Sequence, residues 1–398
     1  MSTKILERLC NEGREFWSNT IKFLLYKQYE NIFDLIDFEN QDIYSDPLLF
    51  AYYNNPENIS LNKNILNAIL LQGFKKNKKI KIQLDKHKKT YISNIGWISK
   101  TDETIEFSKE DMGIEKIYKI KDTNIEILKY PIDLLETFYD GNEVEIEEIT
   151  KKQIENLTKA YLLIKKYVPD HFFLINNYAK KSVIFCANPN YINSFAHRRA
   201  LGISFFNAYQ INYDEVFFVD DIAHQTGHVL MHTMFFDKKK LFQIDDQTTL
   251  IQDYSINIKN NNDNRNVDIW FQALFTYYTS FLCLDKCIDA NVFDKQQETE
   301  AIGRILLYIY RCYYDLNLIG NTKQDRKMFD KITLSIKKST TESLIFSNDG
   351  QKILNIIKNK YAKMFNKYYM KFEHLSFKNQ TYNFDLTIFL NDNPTYDL

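Results

Sequence analysis

Apolar residues recur at three- and four-residue spacing in the first 72 positions. "EFWSNTIKFLLYKQYENIFDLI" and "NKNILNAILL" carry the pattern, which predicts helices there. Between about 75 and 150 the texture changes to short, alternating, β-branched runs: "KIKIQLDKHKKTYISNIGWIS", "TIEFS", "EKIYKI" and "NIEILKY". These predict strands. From 150 onward helical spacing returns, interrupted by two apolar runs, "SVIFCANPN" and "LGISFFNAY", that read as buried strands. A helix over about 219–236 follows, then an asparagine-rich loop, "NIKNNNDNRN", and a long apolar helix, "VDIWFQALFTYYTSFLCLDKCI". Further helices are expected near 297–318 and 350–372. The tail "NQTYNFDLTIFLNDNPTYDL" reads as irregular. The expected class is α+β, predominantly helical, with a small β-rich region in the N-terminal half. The expected organisation is a mixed region over 1–150 and a helical domain over 151–398.

Composition adds weight to this picture. The chain has 398 residues, of which 44% are hydrophobic, enough for a large core. With only 10 glycines and 6 prolines a turn-rich all-β fold is disfavoured. The 27 tyrosines and 30 phenylalanines imply extensive aromatic burial or aromatic-lined grooves. Net charge is −1, so nothing in the balance draws the chain to nucleic acid or an anionic membrane. The lysines Lys75, Lys76, Lys78 and Lys79 and the acidic run "EVEIEEI" at 143–149 read as solvated edges. Five cysteines do not form a disulfide framework. Cys283 and Cys287, four apart with no second pair, read as buried thiols rather than as a zinc site. The amphipathic start is unlike a signal peptide, and no apolar run reaches the length of a membrane span, so a cytoplasmic protein is expected.

The stretch that carries candidate chemistry is "VDDIAHQTGHVLMHTMFF", Val219 to Phe236. At 100° per residue, Val219, Ile222, Ala223, Thr226, Val229, Leu230 and Thr233 share one face. Asp221, His224, His228 and His232 share the opposite one. Phe217 and Phe235 stand at the ends of the histidine face and would give it apolar walls. Histidines at i and i+4 can turn ring nitrogens to one metal ion. His232 lies about 12 Å along the axis from His224 and cannot join them on a straight helix, so it is a candidate contact to substrate. In a zinc protease a glutamate follows the first histidine and takes the proton of the metal-bound water. Here that position is Gln225, which is no base near neutral pH. Hydrolysis by that route is therefore not expected. Gln225 can still hydrogen-bond a bound oxygen or amide, and restoring glutamate is expected to leave folding intact, the two side chains being of similar size.

In these residues the chain resembles the HExxH-motif peptide-modification family, over roughly 194–285. The approach "SFAHRRALGISFF", the H-x-x-x-H helix and the segment "RNVDIWFQALFTYY" carry the likeness. The resemblance implies an Fe(II)- and 2-oxoglutarate-dependent hydroxylase acting on side chains of a ribosomally made precursor peptide, with zinc as the alternative metal. It implies His224 and His228 as metal ligands and Gln272 at the third-ligand position, where a histidine is usual. Arg265 or Arg198 would pair with a carboxylate of 2-oxoglutarate. Gln225 and His232 complete the candidate catalytic set. Asp245 or Asp246 is a substitute third ligand. Two other readings accompany this one: a non-catalytic member that holds the peptide, and a zinc hydrolase using another base such as Asp221.

Overall fold

The computed structural model describes residues 2–55, 62–75, 79–86, 88–100, 102–108, 113–245, 265–319, 345–368, 375–381 and 383–394. The fold is α+β and predominantly helical. Helices run over α1 (Ser2–Gln28), α2 (Ile32–Leu35), α3 (Gln41–Tyr44), α4 (Pro47–Tyr53) and α5 (Lys63–Leu70). They continue as α6 (Asp133–Glu136), α7 (Glu147–Tyr167), α8 (Pro169–Tyr178) and α9 (Glu215–Met234). The last are α10 (Val267–Asp289), α11 (Lys295–Ile319), α12 (Asn348–Tyr368) and α13 (Leu386–Asp392). Seven short strands fall between 80 and 128: β1 (Ile80–Gln83), β2 (Lys89–Ile92), β3 (Gly96–Ser99), β4 (Thr104–Phe107), β5 (Glu115–Lys116), β6 (Tyr118–Lys119) and β7 (Glu126–Leu128). Three more follow: β8 (Lys181–Phe185), β9 (Phe195–Ala196) and β10 (Ile203–Asn207).

A five-stranded sheet in the order β6-β7-β8-β10-β9 organises the molecule, with β7–β8 and β8–β10 parallel. Strand periodicity sends alternate side chains to opposite faces. On β8, Ile184 enters one core while Val183 and Phe185 enter the other; on β10, Phe206 and Phe205 divide the same way. One core holds the long helices α7 to α12. The other holds α2 to α6 and the two small sheets, β1–β4 and β2–β3–β5. Helix α1 serves both, with Leu6, Leu9 and Cys10 in the first and Ile21 and Leu25 in the second. A boundary at residue 150 therefore does not follow the packing. Strand β7 from before it pairs with β8 from after it, and α1 packs on α9.

A buried ion pair ties the two sides. The Lys181 ammonium on β8 meets the Glu126 carboxylate on β7 at 3.2 Å and the Tyr91 hydroxyl on β2 at 2.8 Å. The pair and its hydrogen bonds keep two charges tolerable inside the core.

Several elements differ from their sequence reading in instructive ways. Helix α9 starts at Glu215, because the Asp214 carboxylate accepts from the Val216 amide and caps it there. The expected acidic edge at 143–149 includes another cap: the two oxygens of Glu145 accept from the Glu148 and Ile149 amides at the start of α7. Lys75 donates to the Phe33 carbonyl, whereas Lys76 and Lys78 lie outside the described residues. The tail is not wholly irregular: Asp385 caps α13 and Phe389 buries against Phe384 and Leu307. Cys283 and Cys287 are buried free thiols. No helix among the described residues is long and apolar enough to cross a membrane.

Candidate functional site at the histidine helix

Helix α9 is buried on nearly every side, packed by α10, α7, α1, α8 and the sheet. Its contact with α10 is especially close. Gly227 faces Thr276 and Thr279, and a β-carbon at 227 would lie 2.8 Å from the Thr279 hydroxyl oxygen. That hydroxyl donates to the Ala223 carbonyl at 2.7 Å. The two helices run antiparallel there, so Gln272, one turn before Thr276, comes up beside His228.

The histidines form a ladder along one face. The rings of His224 and His228 are 5.2 Å apart between centroids, and those of His228 and His232 are 6.1 Å apart. Two imidazoles sharing one ion at about 2.1 Å from each nitrogen, at a tetrahedral angle, have ring centres about 5 Å apart. The first pair meets that spacing. The Gln272 amide oxygen stands 3.3 Å from His228 Nδ1. Burial pushes His228 down to about 4 and His232 to about 3, and holds His224 well below the usual imidazole range, so all three rings are neutral at neutral pH. His224 Nδ1 and His232 Nδ1 are buried with no hydrogen-bond partner among the described residues.

The ladder does not face one cleft. It runs between two chambers. The first, at the His224 end, has a volume of about 40 Å³ and is lined by Asp220, Asp221, Gln225, Arg304 and Tyr308, with Phe217 at its wall. The second, at the His232 end, has a volume of about 320 Å³ and takes in Gln272, Arg198, Arg199 and Lys238. Trp17, Phe50, Tyr53 and Phe235 give it an aromatic wall. Lys238 pairs with Asp268 at 3.1 Å. The two arginines then leave this chamber cationic.

In the first chamber Arg304 donates to Asp220 at 2.9 Å and to Glu300 at 2.7 Å, and the Tyr308 hydroxyl adds a hydrogen bond to the same Asp220 oxygen. Gln225 is tethered: its amide nitrogen donates to Asp221 at 3.0 Å. Burial pushes the Asp221 carboxyl up to about 7, against the hydrogen bonds of Ser194 and Gln225.

The structure thus sets His224 beside His228, brings Gln272 to His228 and His232, and puts Gln272, His232 and Arg198 on the second chamber, away from His224. Arg265 lines neither chamber. Its guanidinium grips Asp315 on α11 through two contacts, at 2.6 and 3.2 Å. Asp245 is exposed and lines neither chamber, and Asp246 lies outside the described residues. Among the described residues no three His, Cys, Asp or Glu side chains cluster as metal ligands.

Sequence reasoning missed Arg304, Tyr308 and Asp220. A signal was present: in "AIGRILLYIYRCYY" two arginines, Arg304 and Arg311, sit inside an apolar helical run, and a buried arginine there calls for a carboxylate. The partner of Arg304 lay 84 positions away, beyond any local pattern. No family model matches the chain, and no curated protein matches it.

Proposed function

We propose that this protein is a metal-dependent oxygenase that hydroxylates a side chain of a ribosomally made precursor peptide, using Fe(II) and 2-oxoglutarate. The observation that carries the reading is the contact of Gln272 with His228, the second ring of the His224–His228 pair. The pair has the ring spacing of a shared ion, and the third group arrives from a separate helix. The donor set fits a divalent metal as two neutral imidazoles and an amide oxygen. His224 Nδ1, buried without a partner among the described residues, has a lone pair free to ligate an ion. The bound iron and 2-oxo acid would supply the oxygen chemistry that no side chain offers.

The chain's own residues do the rest. His224 and His228 need shed no proton before ligating, because burial already holds them neutral. Arg198 and Arg199 suit the carboxylates of a small diacid, in a chamber large enough to hold one. The aromatic wall of that chamber excludes water. Gln225, held by Asp221, offers no base for peptide hydrolysis.

A second reading, a non-catalytic member that only holds the peptide, is favoured by one observation. The third group is a neutral amide, and no carboxylate or further histidine joins the pair among the described residues. Co-expression with the partner peptide separates the two. A mass gain of about 16 Da, one oxygen atom, lost in His224→Ala, supports the oxygenase. A peptide that co-purifies unchanged supports the holder.

A further inference from the structure

The first chamber is rich in acceptor atoms that have nothing to accept. Asp220 Oδ1, Asp221 Oδ2 and Gln225 Oε1 are each buried with no hydrogen-bond partner among the described residues. Asp220 is 3% exposed and Gln225 is 5% exposed, and all three residues line the same space. Buried oxygens of this kind ordinarily find a donor. Three of the lining donors are spent elsewhere. The Tyr308 hydroxyl and Arg304 go to the other oxygen of Asp220, and the Asn207 amide goes to the carbonyls of Ala187 and Ile192.

Charge and shape narrow the missing donor further. Arg304 pairs with both Asp220 and Glu300, and Arg311 and Asp221 share the lining, so the group carries one net negative charge when Asp221 is ionised. Tyr213, Phe217, Tyr308 and Phe384 give the space an aromatic lining, and the Arg304 guanidinium already lies over Phe217 and Phe384. A volume of about 40 Å³ admits the end of one side chain and no more. A planar guanidinium is larger and stiffer than a compact ammonium with three rotatable donors.

We infer that the first chamber is a binding site for a primary alkylammonium group, such as the end of a lysine side chain, held by Asp220, Asp221 and Gln225. The inference deepens the proposed function by naming the class of side chain the peptide would present, and rests on that reading only in calling it substrate. The binding itself needs neither metal nor 2-oxo acid.

The test uses the full chain treated with chelator, with no 2-oxo acid added, and three probes: N-acetyl-lysine methylamide, its Nε-acetylated form and the norleucine equivalent. Saturation-transfer NMR and calorimetric titration report binding. The lysine probe should bind and the other two should not, since each lacks the charged three-donor head. Asp221→Asn should weaken the lysine probe by about tenfold, the effect of losing one charged partner. If Asp221→Asn fails to fold, Leu307→Trp, which fills the chamber from the helix α11 side, should abolish binding in its place. Equal binding of the norleucine probe, or no binding of the lysine probe up to its solubility limit, overturns the inference. Neither outcome touches the metal reading, which stands or falls on metal content in separate protein that has not met chelator.

Discussion

Replacing Gly227 by alanine should loosen the protein and disturb the histidine site at once. A methyl at this position meets the Thr279 oxygen at 2.8 Å and the Thr276 methyl at 3.3 Å. Both threonines are fully buried, so neither can swing away into solvent. Overpacking of a tight core costs about 1–3 kcal/mol. Displacing the Thr279 hydroxyl from the Ala223 carbonyl costs about 1 kcal/mol more. Against this, alanine is the better helix former by about 1 kcal/mol. The net expectation is a loss of about 1–3 kcal/mol. Urea titration followed by tryptophan fluorescence measures it, Trp270 being buried on α10 beside the contact. The same strain pushes α10 outward and draws Gln272 from His228, which should appear as a change in the His228 ring nitrogen shifts by NMR. Adding Thr279→Ala should recover part of the loss, because it removes the atom that clashes; the double-mutant cycle then shows coupling. A Gly227→Ala protein that is more stable than wild type, by the helix-propensity gain alone, would refute the close approach of the two helices.

Gln225→Glu, expected from size alone to be harmless, should instead destabilise by about 1–3 kcal/mol above pH 7, since a donor to Asp221 becomes a second carboxylate beside it. Asp221 is raised to about 7 from an unfolded value near 3.8, so its contribution is greatest at low pH and is lost as pH rises through 7; the variant should therefore recover on acidification, and melting curves that show no such recovery contradict the pairing. His171 behaves oppositely: burial holds it at about 4, its neutral form stabilises fully above 6.5, and that stability is lost as pH falls toward 4. His171→Phe should flatten acid unfolding in this window by about 1.4 kcal/mol per pH unit, and an unchanged slope would show that the ring is not neutral in the fold. Arg265→Gln should lower stability by about 1–3 kcal/mol by removing the guanidinium from Asp315, with affinity for 2-oxoglutarate unchanged; loss of that affinity in a protein of normal stability would make Arg265 a partner of the diacid after all.

The helix periods and the histidine face were legible because both are local. A 100° step sorts residues 219–236 into faces whatever the rest of the chain does, and β8 shows itself as a short apolar run buried on both faces. Gln272 was expected only from the resemblance noted in the sequence, not from any spacing. What local pattern could not carry was division of the histidine face between two chambers. That division depends on α1, which brings Trp17, Ile21 and Leu24 to one end, and on α11, which brings Arg304 and Tyr308 to the other. Arg265 illustrates the same limit: its carboxylate partner is 50 residues on, in a helix whose sequence shows only apolar spacing.

The position of α1 has a consequence for the timing of synthesis. The surfaces this helix needs are made far later in the chain. Gly13 lies flat against the Thr233 carbonyl, Glu12 pairs with Lys240, and Arg8 reaches Asp349, 341 residues further on, at 2.6 Å. At roughly 5–20 residues per second the helix must wait on the order of tens of seconds for its last partner. Throughout that interval Leu6, Leu9 and Cys10 lack the completed helical core they enter, whereas the core that takes Ile21 and Leu25 is complete once Phe205 has been made. A chain that stops before α12 would leave Arg8 without Asp349 and the Leu6–Leu9–Cys10 face short of its full cover.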